Sequence, residues 1–150
     1  MHYRQGFGRF GTQYPQKRIS IWHIGFTKLF YMITQYEVPG YLLQILPANA
    51  LQTGPANINM HIYKDMQSFT DYTRQAVTHH NYSVAKKCFL LAEKLYKLGD
   101  KTVRLTIENI FVYSFSSFIP ENNIDRIILR NYIPAALYSI YMKQVNSCGC

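Results

Sequence analysis

The stretch YSVAKKCFLLAEKLYKLGD, residues 82–100, decides the fold class. Val84, Cys88, Leu91, Leu95 and Leu98 recur at steps of three and four, which aligns them along one stripe of a helix. Ala85, Phe89, Ala92 and Tyr96 form a second stripe beside it. Two stripes make a wide apolar face, so this helix is predicted to pack against more than one neighbour. Lys86, Lys87, Glu93, Lys94 and Lys97 fall largely on what remains. Gly99 stands where a left-handed residue would stop the helix, and Asp100 is placed to cap the next one.

The pattern extends in both directions. Upstream, Ile62, Met66, Phe69, Thr73 and Ala76 draw one stripe of a preceding helix. Asn59 is its expected N-cap and His79-His80-Asn81 its end. Downstream, a helix over about 101–118 carries Val103, Ile107, Ile110, Phe111, Phe115 and Phe118 on its apolar face. Pro120 forbids its continuation. Asn122 or Asn123 then caps a helix containing Ile124, Ile127, Ile128 and Leu129. Pro134 starts a last one with Leu137, Ile140, Tyr141 and Val145. The expected architecture is all-α: an antiparallel helical bundle of about five helices with short connections.

The composition shifts near residue 57. Six of the eight glycines and four of the six prolines lie in residues 1–59, a density that punctuates rather than builds elements. Residues 1–56 therefore read as a largely irregular Gly/Pro-rich extension, poorly ordered and dispensable for folding, ahead of a helical domain at 57–150. Within it, residues 1–18 read as a mobile tail, and Tyr41–Leu46 as a short helix closed by Pro47.

Hydrophobic residues make up 48% of the 150 positions and charged residues 16%, which argues against a disordered chain. The formal charge is +8, which suits an anionic partner. The charge is spread out, however, and no block of five like charges occurs. Three cysteines cannot close an even disulfide framework. Cys88 reads as a buried free thiol, and the usage fits a reducing, cytoplasmic compartment. No run is apolar and long enough to span a bilayer.

Two resemblances add to this reading. Tyr82, Ala85, Phe89 and Ala92, with Phe69 and Thr73 before them, resemble a single tetratricopeptide hairpin over residues 66–99. The pattern does not restart after residue 101, so it implies one repeat-like unit and not an array. Over residues 57–150, four segments resemble in the same order a family of small bacterial helical proteins classed as a domain of unknown function. They are Ile62–Phe69, Cys88–Tyr96, Ile107–Ser114 and Tyr141–Val145. That resemblance implies a helical fold and a bacterial origin, and it carries no catalytic residue to transfer.

Few residues suggest chemistry. Glu108 and Asn109 sit amid apolar neighbours, and a buried Glu108 could serve as an acid or base. Sequence places no second carboxylate within one helical turn of it. His79 and His80 could join Cys88 or an acid around zinc, but adjacent histidines diverge on a helix end, and neither metal nor cofactor is expected. Cys148-Gly149-Cys150 reads as a frayed end. The thirteen tyrosines suit half-buried seams and interfaces. The expectation is a non-catalytic module that binds another protein beside Tyr82, Phe89 and Tyr96. The alternatives are anion or nucleic-acid binding through Lys86, Lys87, Lys94, Lys97, Lys101 and Arg104, or an enzyme using Glu108.

Overall fold

The computed structural model describes residues 31–51 and 58–147. The expected mobile tail at 1–18 and the Cys148-Gly149-Cys150 end lie outside them. Helix α1 is Val38–Leu42, and a 3₁₀ turn follows at Ala48–Ala50. Helix α2 is Ile58–Thr78, α3 is Tyr82–Leu98 and α4 is Lys101–Thr106. The chain then winds through a π-helical turn, Ile107–Val112, into α5, Phe115–Phe118. Helix α6 is Asn123–Tyr132 and α7 is Ala135–Ser147. The fold is all-α, as expected. Among the described residues β pairing is confined to one isolated bridge, between Ile33 and Gly99.

Two of the expected helix starts, at Asp100 and Asn122, form as the sequence suggests, and Asn81, expected only to end the preceding helix, caps a third. Asn81 accepts from the Val84 N–H, Asp100 from Val103 and Asn122 from Ile124. Each satisfies a first-turn donor that has no partner within the helix. Asn59 lies inside α2 instead of ahead of it.

The left-handed residue is not where the sequence suggested. Gly99 has φ −72° and ψ 152°, an extended conformation open to any residue. His80 instead takes φ 56°. The Asn81 N–H bonds the Ala76 carbonyl at 2.8 Å and the His80 N–H bonds that of Val77 at 2.9 Å. That pair of bonds closes α2 in a Schellman turn. Gly99 is needed for a different reason. A Cβ there would stand 2.3 Å from the Leu95 carbonyl oxygen and 2.6 Å from a Val103 methyl. Ile33 docks at the same α3–α4 corner, its N–H on the Leu98 carbonyl at 2.7 Å and its carbonyl receiving the Asp100 N–H at 2.9 Å.

Lys101–Phe118 does not form one α-helix. In a continuous α-helix, the face shared by Val103, Thr106 and Ile107 would next present Ile110 and Ser114. The π turn inserts one residue of phase, marked by the Tyr113 N–H bond to the Glu108 carbonyl. Phe111, Val112, Phe115 and Phe118 turn inward in consequence, while Ile110 stays half-buried. Phe111 then stacks on Phe69 with ring centroids 5.1 Å apart, and meets Phe89 at 6.1 Å and Phe115 at 5.6 Å edge-on. Such offset and T-shaped contacts are the favoured aromatic geometries.

The core also reaches back past the boundary expected at residue 57. Ile33, Val38 and Leu42 are fully buried, and Leu46 and Leu51 nearly so, in one cluster with the apolar faces of α2 and α3. A cut at Asn57 would separate side chains that pack together, so residues 33–51 belong to the domain. Their Gly and Pro content concealed this: Pro39 sits in the first turn of α1, where a missing N–H costs nothing. Glu37 holds the approach to α1 by accepting from the Thr34 N–H and hydroxyl at 2.9 and 3.0 Å and from the Tyr31 hydroxyl.

Two glycines give opposite expectations. Gly99→Ala should cost about 1–3 kcal/mol, because the new methyl overpacks the α3–α4 corner. Gly40→Ala should stabilise by about 0.5–1 kcal/mol, since α1 is helical there and the added methyl meets nothing within 4 Å. Denaturant midpoints of both variants check this. Equal effects would mean that Gly99 is not at a close approach.

Candidate functional site

The groove expected beside Tyr82, Phe89 and Tyr96 is filled. Phe89 is fully buried, with the rings of Phe111, Phe115 and Phe118 within 6.3 Å of its own. It supports the core and offers nothing to a partner. Tyr82 and Tyr96 are half-buried, one near each end of α3. The Tyr82 hydroxyl donates to Asp125 on α6 at 2.8 Å, and His80 Nδ1 lies 3.0 Å from that hydroxyl. Burial first, then the Asp125 carboxylate, pushes the Tyr82 pKa up. The two tyrosines are tie points between helices and not walls of one groove.

Glu108 is half-buried, not buried, and Asn109 is exposed. The Glu108 carboxylate accepts from the Tyr96 hydroxyl at 3.0 Å, and its carbonyl, which also receives the Tyr113 N–H of the π turn, accepts from the Gln144 amide at 2.9 Å. Burial first, and then Glu108, raises the Tyr96 pKa, while Arg104 pulls it down. Around these groups lies a shallow polar hollow that also touches Tyr113 and Lys143. Among the described residues, no second carboxylate or histidine lines it. A lone carboxylate engaged by a tyrosine bridges helices well, but lacks the partner that acid–base work requires.

His79 and His80 are both exposed at the α2–α3 turn, whereas Cys88 is fully buried and its thiol pKa is pushed up by burial. They cannot share a metal ion. Among the described residues, no three His, Cys, Asp or Glu side chains gather as a metal site.

All six residues of the cationic alternative are exposed. Lys86, Lys87, Lys94 and Lys97 share the outer side of α3, within about 100° of helical arc. The lysine heads are placed by neighbours. Lys86 Nζ lies 5.6 Å from the Tyr132 ring on α6, and Lys94 Nζ lies 4.6 Å from that of Tyr41 on α1. Cation–π attraction at such distances contributes about 0.5–1 kcal/mol at exposed sites. Lys97 pairs with Glu93 at 2.7 Å. Leu90 and Leu98 complete the face at 49% and 43% exposure. Leu98, expected in the buried stripe, thus points outward. Lys86, Leu90, Lys94 and Lys97 follow each other at steps of four, four and three, a period in which the sequence reading places the lysines on the side left by the apolar stripes but does not include Leu90. Lys101 and Arg104 lie beyond the Gly99 corner on α4, and Arg104 stands near Tyr96 instead of on the lysine face.

One buried ionisable group escaped the sequence reading. Asp65, inside α2, is 4% exposed, and its Oδ1 has no hydrogen-bond partner among the described residues. Burial raises its pKa, and His61, one turn earlier, partly offsets that. Its position beside the Met66 and Ile62 stripe gave the only hint.

A family model described as "Domain of unknown function (DUF7674)" matches residues 40–147, and the chain belongs to that family. The match begins inside α1, ahead of the 57–150 resemblance seen in the sequence. No curated protein and no solved structure matches the chain. Among the described residues, no helix is long and apolar enough to cross a membrane.

Asp65 gives a pH-dependent expectation. Its folded pKa exceeds the unfolded value, so the native state binds the extra proton between the two. Stability contributed by the protonated form is therefore full below the ordinary carboxylate pKa and is lost as pH rises through the raised one. Asp65→Asn should raise stability at pH 7 by about 1 kcal/mol or more, the scale of an unpaired buried charge. The difference from the parent should vanish near the low end of the carboxylate range. A stabilisation independent of pH would show that ionisation is not its cause.

Proposed function

We propose that this member of the family is a non-catalytic module whose working surface is the outer face of α3, where it docks an acidic, amphipathic segment of another protein. One observation carries this reading. Lys86, Lys87, Lys94 and Lys97 surround the half-exposed Leu90 and Leu98 on one rigid helix, with Glu93 as the sole acid among them. Exposed leucines between cations suit a partner helix that alternates acidic and apolar residues. Rim charges would set encounter rate and register, and the leucines would supply the dry contact.

Nucleic acid is the second reading, since the same lysines suit phosphates. The chemistry of the face favours protein. Bases need exposed aromatic planes on which to stack, and the Tyr41 and Tyr132 rings flanking this face already carry Lys94 and Lys86. An enzyme built on Glu108 has the least support, because its carboxylate is engaged by Tyr96 and no second acid or base adjoins it.

The test compares two fluorescent probes by anisotropy across a salt series: a synthetic helix with Glu and Leu one turn apart, and a single-stranded DNA of equal charge. The peptide should bind tighter. Changing Lys86, Lys87, Lys94 and Lys97 together to Gln should weaken it about tenfold or more. Leu90→Ala should weaken the peptide and leave the DNA unaffected. Tighter DNA binding, with a steep salt slope and no effect of Leu90→Ala, would replace this reading with the second.

A further inference from the structure

Helices α6 and α7 enclose a cleft of about 320 Å³ on a different part of the molecule from the α3 lysines. Leu129 and Ile133, almost fully buried, form its base, and Ile119 and Tyr141 its sides. Two arginines, Arg126 and Arg130, stand on its border, four residues apart and so one turn apart on the same side of α6.

Both guanidinium groups are held in place without a carboxylate. Arg126 donates from Nε to the Pro120 carbonyl at 3.2 Å and from Nη2 to the Glu121 carbonyl at 3.1 Å. Arg130 lies over the Tyr138 ring, 4.9 Å from its centroid. Neither forms an ion pair among the described residues. Among the described residues no acid lines the cleft, and Asp125, the acid in the first turn of α6, turns instead to Tyr82 and His80. Like charges one helical turn apart repel each other, and among the described residues no carboxylate offsets the repulsion. A bound anion would.

We propose that this cleft binds a small apolar monocarboxylate, such as a medium-chain fatty acid or an aryl acid. Its carboxylate lies between Arg126 and Arg130, and its apolar body rests on Leu129 and Ile133. Guanidinium matches carboxylate by parallel hydrogen bonds. Both groups retain unused N–H donors, and stacking on Tyr138 leaves the edge of the Arg130 fork open. The cleft falls within the size range of small-molecule sites, and its apolar lining with a few convergent polar groups is the composition of such sites. A short aliphatic chain or a single aromatic ring fits the volume. The proposal uses none of the α3 lysines and stands independently of the docking face.

The test is an NMR titration of the full chain with octanoate, octanol and octylamine, followed through the methyl signals of Leu129 and Ile133. Octanoate should shift both signals saturably and bind about tenfold tighter than octanol, with octylamine weakest. Arg130→Gln should bring octanoate down to the affinity of octanol and leave octanol unchanged. If that variant lowers the unfolding midpoint, Arg130→Lys is the second variant. It keeps the charge and should retain part of the preference for octanoate. Equal binding of octanoate and octanol by the parent protein would overturn the proposal. So would octanoate shifts confined to other residues, or octanoate affinity indifferent to both substitutions.

Discussion

Phe111 can stack on Phe69 and meet Phe89 and Phe115 edge-on because the helix that carries it is widened by one residue. Without that phase shift, Ser114 would turn toward the core and Phe115 toward its margin. Much of the domain depends on the resulting cluster. Its rings join α2, α3, the π turn and α5 into one interior. The Glu108 carbonyl that closes the wider turn with the Tyr113 N–H also accepts from the Gln144 side chain of α7. The feature that seats the phenylalanines therefore also fastens the last helix.

The same cluster decides what surface remains. Phe89 is consumed by the core, so the inner side of α3 is closed to partners. The outer side carries fixed lysines and half-exposed leucines. Its two edges are tied to α1 and α6 by cation–π contacts at Tyr41 and Tyr132. This face lies on one α-helix, Tyr82–Leu98, backed by the packed rings of Phe89, Phe111 and Phe115. The α6–α7 cleft is a second, chemically different surface, apolar inside and cationic at its border.

Most of the helical pattern was legible in the sequence because it rests on local chemistry. The two stripes of α3, the caps at Asp100 and Asn122, and the stops at Pro120 and Pro134 each depend on a few neighbouring residues. What the sequence concealed depends on distant ones. The π turn follows from a five-residue apolar step, from Ile107 to Val112, that a four- and three-residue template absorbs without warning. Gly99 carries the signature of a helix stop, but its close contacts with the Leu95 carbonyl and the Val103 side chain, which arise only once α3 and α4 turn against each other, explain it. The segment 33–51 looks irregular because it contributes single side chains to the core and not a periodic face. The candidate site was half legible. The lysines and the side of α3 they share were visible, but the outward turn of Leu90 and Leu98 appears only once the buried side of α3 is fixed.

The central claim is that one cooperative core, organised on the phenylalanine cluster, runs from Ile33 through α7 and leaves the outer face of α3 free. Native-state hydrogen exchange in increasing denaturant tests it most directly, because it reports the opening free energy of each segment separately. The account predicts that the most protected amides of α3, of the π turn around Phe111 and of Leu42 and Leu46 converge on one global opening as denaturant rises. Leu42 and Leu46 exchanging at unprotected rates while α3 stays closed would detach residues 33–51 from the core. Opening of Ile107–Val112 well below the global transition would remove the phenylalanine cluster from its organising role.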